Sequence, residues 1–222
     1  MSQTANGDHR RTLNSQRRAQ REEQILETAI QLFAEHGYSD CDTQLLAEKL
    51  QVGKGTIYRY FPSKRELFLA AADRVMRLMR QSIDSRIQGI EDPFERMGVG
   101  IRAFLNFFAE HPEYVELLIQ ERAQFKDRKK PTYFVHRETN VKRWQELYRS
   151  LIAAGRFRDI PVERISDVIG NLLYGTMFTN YFLGERPCVE KQANDILDVV
   201  FYGVLSDAER AKSGSRHHSA VE

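Results

Sequence analysis

Cysteine is scarce in this chain, and nowhere does it stay apolar for long. The only two thiols among 222 residues, Cys41 and Cys188, lie far apart in no paired spacing. That excludes a disulfide framework and a Cys-x-x-Cys redox or zinc site, and it fits a reducing compartment. No apolar run approaches the roughly 20 residues that cross a bilayer, and the opening residues are polar. Neither a membrane span nor a signal peptide is expected, and the expected location is cytoplasmic. None of the six histidines has a glutamate three residues before it, which removes the paired Glu-x-x-His of a di-iron bundle. Also missing are a His-Glu-x-x-His helix, a serine nucleophile elbow and a Gly-rich phosphate loop. The expectation is no catalytic residue, no metal and no cofactor. Alternating strand patterns and internal repeats are absent too, so the fold class expected is all-α.

What is present is an ordinary globular balance, 41% hydrophobic and 29% charged, with a net charge of +2. The distribution of charge says more than the sum. Between His9 and Arg21 stand five arginines (Arg10, Arg11, Arg17, Arg18, Arg21) and no acid. Such a run is usually a solvated tail. A basic run can also lie along nucleic-acid phosphates or enter a minor groove, and Arg17 and Arg18 are the candidates for phosphate contact.

Helix punctuation divides the chain into about nine helices. The first opens at Asn14 or Ser15, carries Ile25, Ala29, Leu32 and Phe33 on one face, and stops at Gly37. Asp42 is placed to cap a second helix with Leu46 and Leu50, and a break at Gln51-Val52-Gly53 leads to Lys54–Phe61, closed by Pro62. Ser63 with Glu66 forms a capping box for a long helix ending near Gly89. Asp92-Pro93 starts a helix that stops at His111-Pro112. Further helices are expected over Glu113 to about Phe125, Tyr133 to Ala154, about Val162 to Leu183, and Glu190 to Leu205. The charged break Lys126–Pro131 reads as a solvated loop.

The stretch Asp42–Lys64 is two short helices around a tight turn. The second is too short to be stable alone, and its outer face carries Lys54, Thr56, Tyr58, Arg59 and Tyr60. A helix-turn-helix satisfies both facts. The expected organisation is a disordered basic arm over residues 1–14, a helix-turn-helix DNA-binding domain over 15–64, a helical ligand-binding and dimerisation domain over 65–205, and a disordered tail over 206–222.

From Gly37 to Leu67 the sequence resembles the TetR family of bacterial transcriptional regulators. The residues that carry the resemblance are Gly37-Tyr38, Asp42, Leu46-Ala47, Val52, Gly55-Thr56-Ile57-Tyr58, Tyr60-Phe61, Ser63-Lys64 and Leu67. Two positions depart from the family pattern: Gln51 stands where the family usually has Gly, and Gly53 where it usually has Ser. Gln51 is therefore expected to adopt an unusual backbone conformation, and Gly53 to serve as a cap. The resemblance implies base contacts from Lys54, Gly55 and Thr56 and phosphate contacts from Thr43, Tyr58, Tyr60 and Lys64; Arg59 could serve either role and is placed with the base contacts. Ile57 and Phe61 read as core.

Beyond the head the resemblance is one of layout, and it implies a sensor domain whose last two helices pair with a second copy. Ile169, Leu172, Leu173, Met177, Ile196, Val200 and Val204 are the expected homodimer interface. The aromatic set Phe104, Phe107, Phe108, Trp144, Tyr148, Tyr174, Phe178 and Tyr181 is the candidate pocket for a small hydrophobic effector, although aromatics at helical spacing are more often core. The functional expectation is a dimeric regulator, in the repressor mode, that binds double-stranded DNA at a palindromic operator and is released by its effector. The alternative is a helical-bundle enzyme or ligand carrier that does not bind DNA.

Overall fold

A computed structural model describes residues 3–184 and 188–203, with side chains from Leu13 onward. Among these residues the chain is helical throughout: α1 (Gln3–Asp40), α2 (Thr43–Lys49), α3 (Lys54–Tyr60), α4 (Lys64–Ile87), α5 (Pro93–Glu110), α6 (Pro112–Gln124), α7 (Thr132–Ala153), α8 (Val162–Leu183) and α9 (Val189–Tyr202). Most boundaries fall where capping residues and breakers put them. Gly37, Gly89, Gly155 and Gly184 sit at positive φ at helix ends. The Asp92 carboxylate accepts from the Glu95 amide at 2.8 Å, and Ser63 Oγ accepts from the Glu66 amide at 3.1 Å. The first helix differs from expectation. It begins at Gln3 rather than Asn14, so residues 3–14, expected as an irregular arm, are helical. No proline stands in that segment to stop the backbone ladder once α1 has formed behind it.

The chain divides into two compact units, residues 1–82 with 110–146, and residues 83–109 with 147–222. The helix-turn-helix groups in the first of these with α6 and the first part of α7. The reason lies in contacts that join distant segments. α6 packs along α1, with buried Gln120 donating to the Phe33 carbonyl at 2.9 Å. Phe33, Tyr38, Phe68 and Phe125 form an aromatic cluster, mostly edge to face, with centroids 4.9–6.0 Å apart. Arg65 lies 4.8 Å over the Phe125 ring and pairs with Asp127 at 2.5 Å. Arg74, also buried, reaches back to Glu23 at 2.5 Å. At the start of α7 the buried carboxylate of Glu121 accepts from the Thr132 amide and hydroxyl, each at 2.9 Å, and from Arg128.

The second unit is built from α5, α8 and α9 with the adjoining ends of α4 and α7. Its interior includes Met97, Ile101, Phe104, Leu105, Phe108, Leu151, Ile165, Ile169 and Met177. Phe94, Phe157 and Phe201 cluster with centroids 5.4–6.3 Å apart. Asn180 and Gln192 exchange reciprocal amide hydrogen bonds of 2.9 and 2.8 Å between α8 and α9. α8 is apolar on two sides, and only one of them is interior. Val168, Leu172, Phe182 and Leu183 are exposed, as are Val199 and Tyr202 of α9. Of the expected interface set, Ile169 and Met177 are buried within the single chain. Leu172 is exposed, Leu173, Ile196 and Val200 are half-buried, and Val204 lies outside the described residues.

Phe125 tests the enlarged first unit. It is 4% exposed against Tyr38 and Phe68. Phe125→Ala is expected to lower stability by about 3–5 kcal/mol, the range for a buried phenylalanine, in urea unfolding followed by circular dichroism. A loss within about 0.5 kcal/mol, the usual bound for a neutral surface change, would separate α6 and α7 from the head.

Candidate nucleic-acid interface

The head is assembled from three apolar stripes. Ile25, Ala29, Leu32 and Phe33 of α1, Leu46 and Ala47 of α2, and Ile57 of α3 with the adjoining Phe61 are all buried, and α2 packs against both α1 and α3. Asp42 caps α2 by accepting from the Gln44 amide at 2.9 Å. That amide hydrogen bond, and then the Lys54 ammonium 3.0 Å away, hold the Asp42 carboxyl below its ordinary pKa, and the same pair raises that of Lys54.

The turn between α2 and α3 is a complete Schellman arrangement. The Val52 amide donates to the Ala47 carbonyl at 2.9 Å and the Gln51 amide to Glu48 at 3.0 Å, which satisfies two carbonyls the helix end would leave open. The motif requires a left-handed residue, and Gln51 takes it at φ 54°, as a non-glycine. Gly53, in extended backbone, caps α3 through its carbonyl, which accepts from the Thr56 amide at 2.8 Å.

The outward residues fall into groups. Lys54, Gly55 and Thr56 occupy the first turn of α3. A methyl group added at Gly55 would meet nothing within 4 Å, so the protein's own packing does not require glycine there. Thr43 and Tyr58 share a 3.1 Å hydroxyl–hydroxyl hydrogen bond; Thr43 is itself buried and Tyr58 exposed. Lys64 donates to the Ser39 carbonyl at 3.0 Å with its ammonium 4.8 Å over the Tyr38 ring. At the far end of α3, Arg59 and Tyr60 face Arg17 and Arg18 of α1. The Arg18 and Arg59 guanidiniums lie 5.9 and 5.7 Å from the Tyr60 ring.

Each expected DNA-contacting residue thus lies on the first unit, and only Thr43 among them is buried. Sequence reasoning missed Asp42 as the partner of Lys54, the Thr43–Tyr58 link, and the inclusion of Arg21 and Gln24 in the group around Tyr60. Arg21 stood in the basic run; the other pairings join side chains that only folding brings together.

Residues 25–71 match the family model described as bacterial regulatory proteins, tetR family. Over these residues the head is that of the TetR family. Among curated proteins it is 27% identical over 173 residues to the HTH-type transcriptional regulator YerO of Bacillus subtilis strain 168, covering 75% of this chain and 58% of that one. It is 32% identical over 104 residues to YhgD of the same organism, covering 47% and 54%. The matches thus span little more than half the length of these two relatives, both of them HTH-type transcriptional regulators by name. In fold, the transcriptional regulator FadR from Bacillus subtilis, solved in complex with stearoyl-CoA, superimposes with a TM-score of 0.71 at 16% identity, over 82% of this chain and 99% of that one.

Gln51 provides the test of the turn. Because a left-handed non-glycine residue costs about 1–2 kcal/mol, Gln51→Gly is expected to raise stability by up to about 1 kcal/mol, and Gln51→Ile to lower it. Chemical denaturation of the two variants beside the parent chain checks this. Equal midpoints would mean that the turn stores no strain.

Proposed function

We propose that this protein is a ligand-responsive transcriptional regulator that binds double-stranded DNA through α3. The observation that carries the reading is the first turn of α3: Lys54 and Thr56 flank a glycine whose missing side chain the fold does not need. A backbone bare at that point can approach base edges closely. Lysine donates to guanine acceptors and threonine packs on a thymine methyl. Tyr58, Tyr60, Lys64 and Thr43 suit phosphate contacts that set register. Lys54 must leave Asp42 to reach a base, and exposed ion pairs exchange readily because they are worth little in water.

One such head reads few base pairs, so the operator is proposed to be palindromic and bound by a homodimer. The exposed apolar stripe of α8 and α9 supports this. Val168, Leu172, Gly175 and Phe182 recur at helical spacing on one face of α8, Val199 and Tyr202 extend the exposed apolar surface onto α9, and a side chain at Gly175 would meet nothing within 4 Å. Large exposed apolar patches mark association surfaces.

The second unit is proposed to hold a small hydrophobic effector. Phe104, Phe107, Phe108 and Tyr148 are buried there, Tyr174 and Phe178 meet edge to face at 4.6 Å, and Tyr181 lies on the same helix. Burial pushes the Tyr148 and Tyr174 phenols above their ordinary pKa, so both stay uncharged in an apolar setting. Trp144 belongs to the first unit. The stearoyl-CoA bound by the FadR of similar fold makes long-chain acyl compounds the first class to try. Ligand binding would shift the dimer between forms that do and do not fit two half-sites, in the repressor mode.

A gel-shift series with DNA upstream of the protein's own gene is expected to show binding that weakens steeply with salt. Lys54→Ala and Thr56→Ala should each cost about 1–3 kcal/mol on the specific site and little on unrelated duplex, and acyl-CoA should release the complex. Failure to bind any duplex would overturn the regulator reading; binding indifferent to every hydrophobic compound would overturn only the effector class. For the dimer, Leu172→Glu with Phe182→Glu is expected to yield a folded monomer by sedimentation. An unchanged sedimentation coefficient would place the interface elsewhere.

A further inference from the structure

Beside the recognition helix lies a cleft of about 550 Å³ lined by Asn14, Arg17, Arg18, Gln20, Arg21, Gln24, Arg59 and Tyr60. Four of these side chains are guanidiniums, three are amides and one is a phenol, and no carboxylate is among them. On α1, residues 14, 17, 18, 21 and 24 follow helical spacing and form one stripe. With a rise of about 1.5 Å per residue, that stripe is about 15 Å long. Like charges gathered in a concavity repel one another and raise the local potential for an anion. The packing of the head does not explain them, since Arg17, Arg18 and Arg59 are exposed and Arg21 is half-exposed.

We infer that this cleft grips the phosphodiester backbone of DNA flanking the bases read by the first turn of α3. Guanidiniums bind phosphate through parallel N–H donors, and amide side chains donate to phosphate and sugar oxygens. A stripe of this length suits a strand carrying successive phosphates, because one small anion would occupy only part of it. The inference rests on the DNA-binding reading above and changes two assignments within it. Arg59, about 7.5 Å along α3 from Lys54 by the helical rise, is a backbone clamp rather than a base reader. Arg21 joins Arg17 and Arg18 as a phosphate contact, with Tyr60 as the apolar floor between the two arginine groups.

The test uses the full chain, a duplex that it selects from a random pool, and an unrelated duplex of equal length, with fluorescence anisotropy read across a salt series. Arg17→Ala with Arg21→Ala is expected to weaken binding to both duplexes by the same factor and to make the log–log salt slope shallower by about 2, roughly one per lost phosphate contact. Arg59→Ala should behave in the same way with a change of about 1, leaving the ratio between the duplexes intact. Thermal melting confirms that the variants fold. An unaltered salt slope in folded variants, while the parent chain binds, would overturn the clamp alone. Loss of discrimination in Arg59→Ala with unrelated binding preserved would return Arg59 to the base readers. Release of DNA by inorganic phosphate at fixed ionic strength would mean a small-anion site and overturn the strand reading. A parent chain that binds neither duplex would overturn this inference together with the reading beneath it.

Discussion

A helix of seven residues cannot persist in water by its own hydrogen bonds, and the placement of every outward group on α3 depends on how that helix is held. Ile57 supplies most of the hold: it is 1% exposed, within a core shared with α1 and α2. Phe61 closes the far end and Gly53 the near one. The tight turn requires a left-handed residue, and Gln51 accepts that conformation at φ 54° because two backbone hydrogen bonds to Ala47 and Glu48 close around it. The recognition helix is therefore presented by burial beneath it and by turn geometry before it, with its outer side chains on the surface of the head.

The three-helix head is small, and the structure shows what enlarges it. Phe125, following α6, inserts among Tyr38 and Phe68, and Gln120 binds the carbonyl of Phe33 in the middle of the α1 core. Lys64 and Arg65, at the start of α4, each lie over a ring of this cluster. A residue of the proposed phosphate set is thus fixed by the same aromatic packing that ties α6 to the head. The burial of Phe125 and the position of Lys64 are two consequences of one cluster.

Much of this was legible in the sequence because helices are punctuated locally. Gly37, Gly89, Gly155, Asp92-Pro93 and His111-Pro112 act within a few residues of themselves, and the ends of α4 to α8 fall within a residue or two of where those signals put them. Asp42 as a cap and Gln51 as a strained position were legible for the same reason. The division into units was not, because it is decided by pairs such as Gln120 with Phe33 or Arg74 with Glu23, which lie far apart along the chain. Nor does periodicity say which side of α8 faces inward. A helix apolar on two sides presents two equivalent stripes to a sequence reader, and only packing shows that Ile169 and Met177 are inside while Val168 and Leu172 are not.

The charges of the head divide in a way that bears on recognition. Lys54 is paired with Asp42, Lys64 with a carbonyl and a ring, and Arg65 with Asp127. Each of these cations sits at a helix start, where a free positive charge opposes the macrodipole and a local partner offsets the conflict. The arginines at 17, 18 and 21 lie within α1, far from its ends, and no carboxylate lines the cleft they share with Arg59. A partner that brings its own negative charge would gain most where no internal pair has to be broken. In the proposed DNA complex the α1 stripe would therefore supply sequence-independent attraction, and Lys54, which would exchange a carboxylate for a base, would supply discrimination.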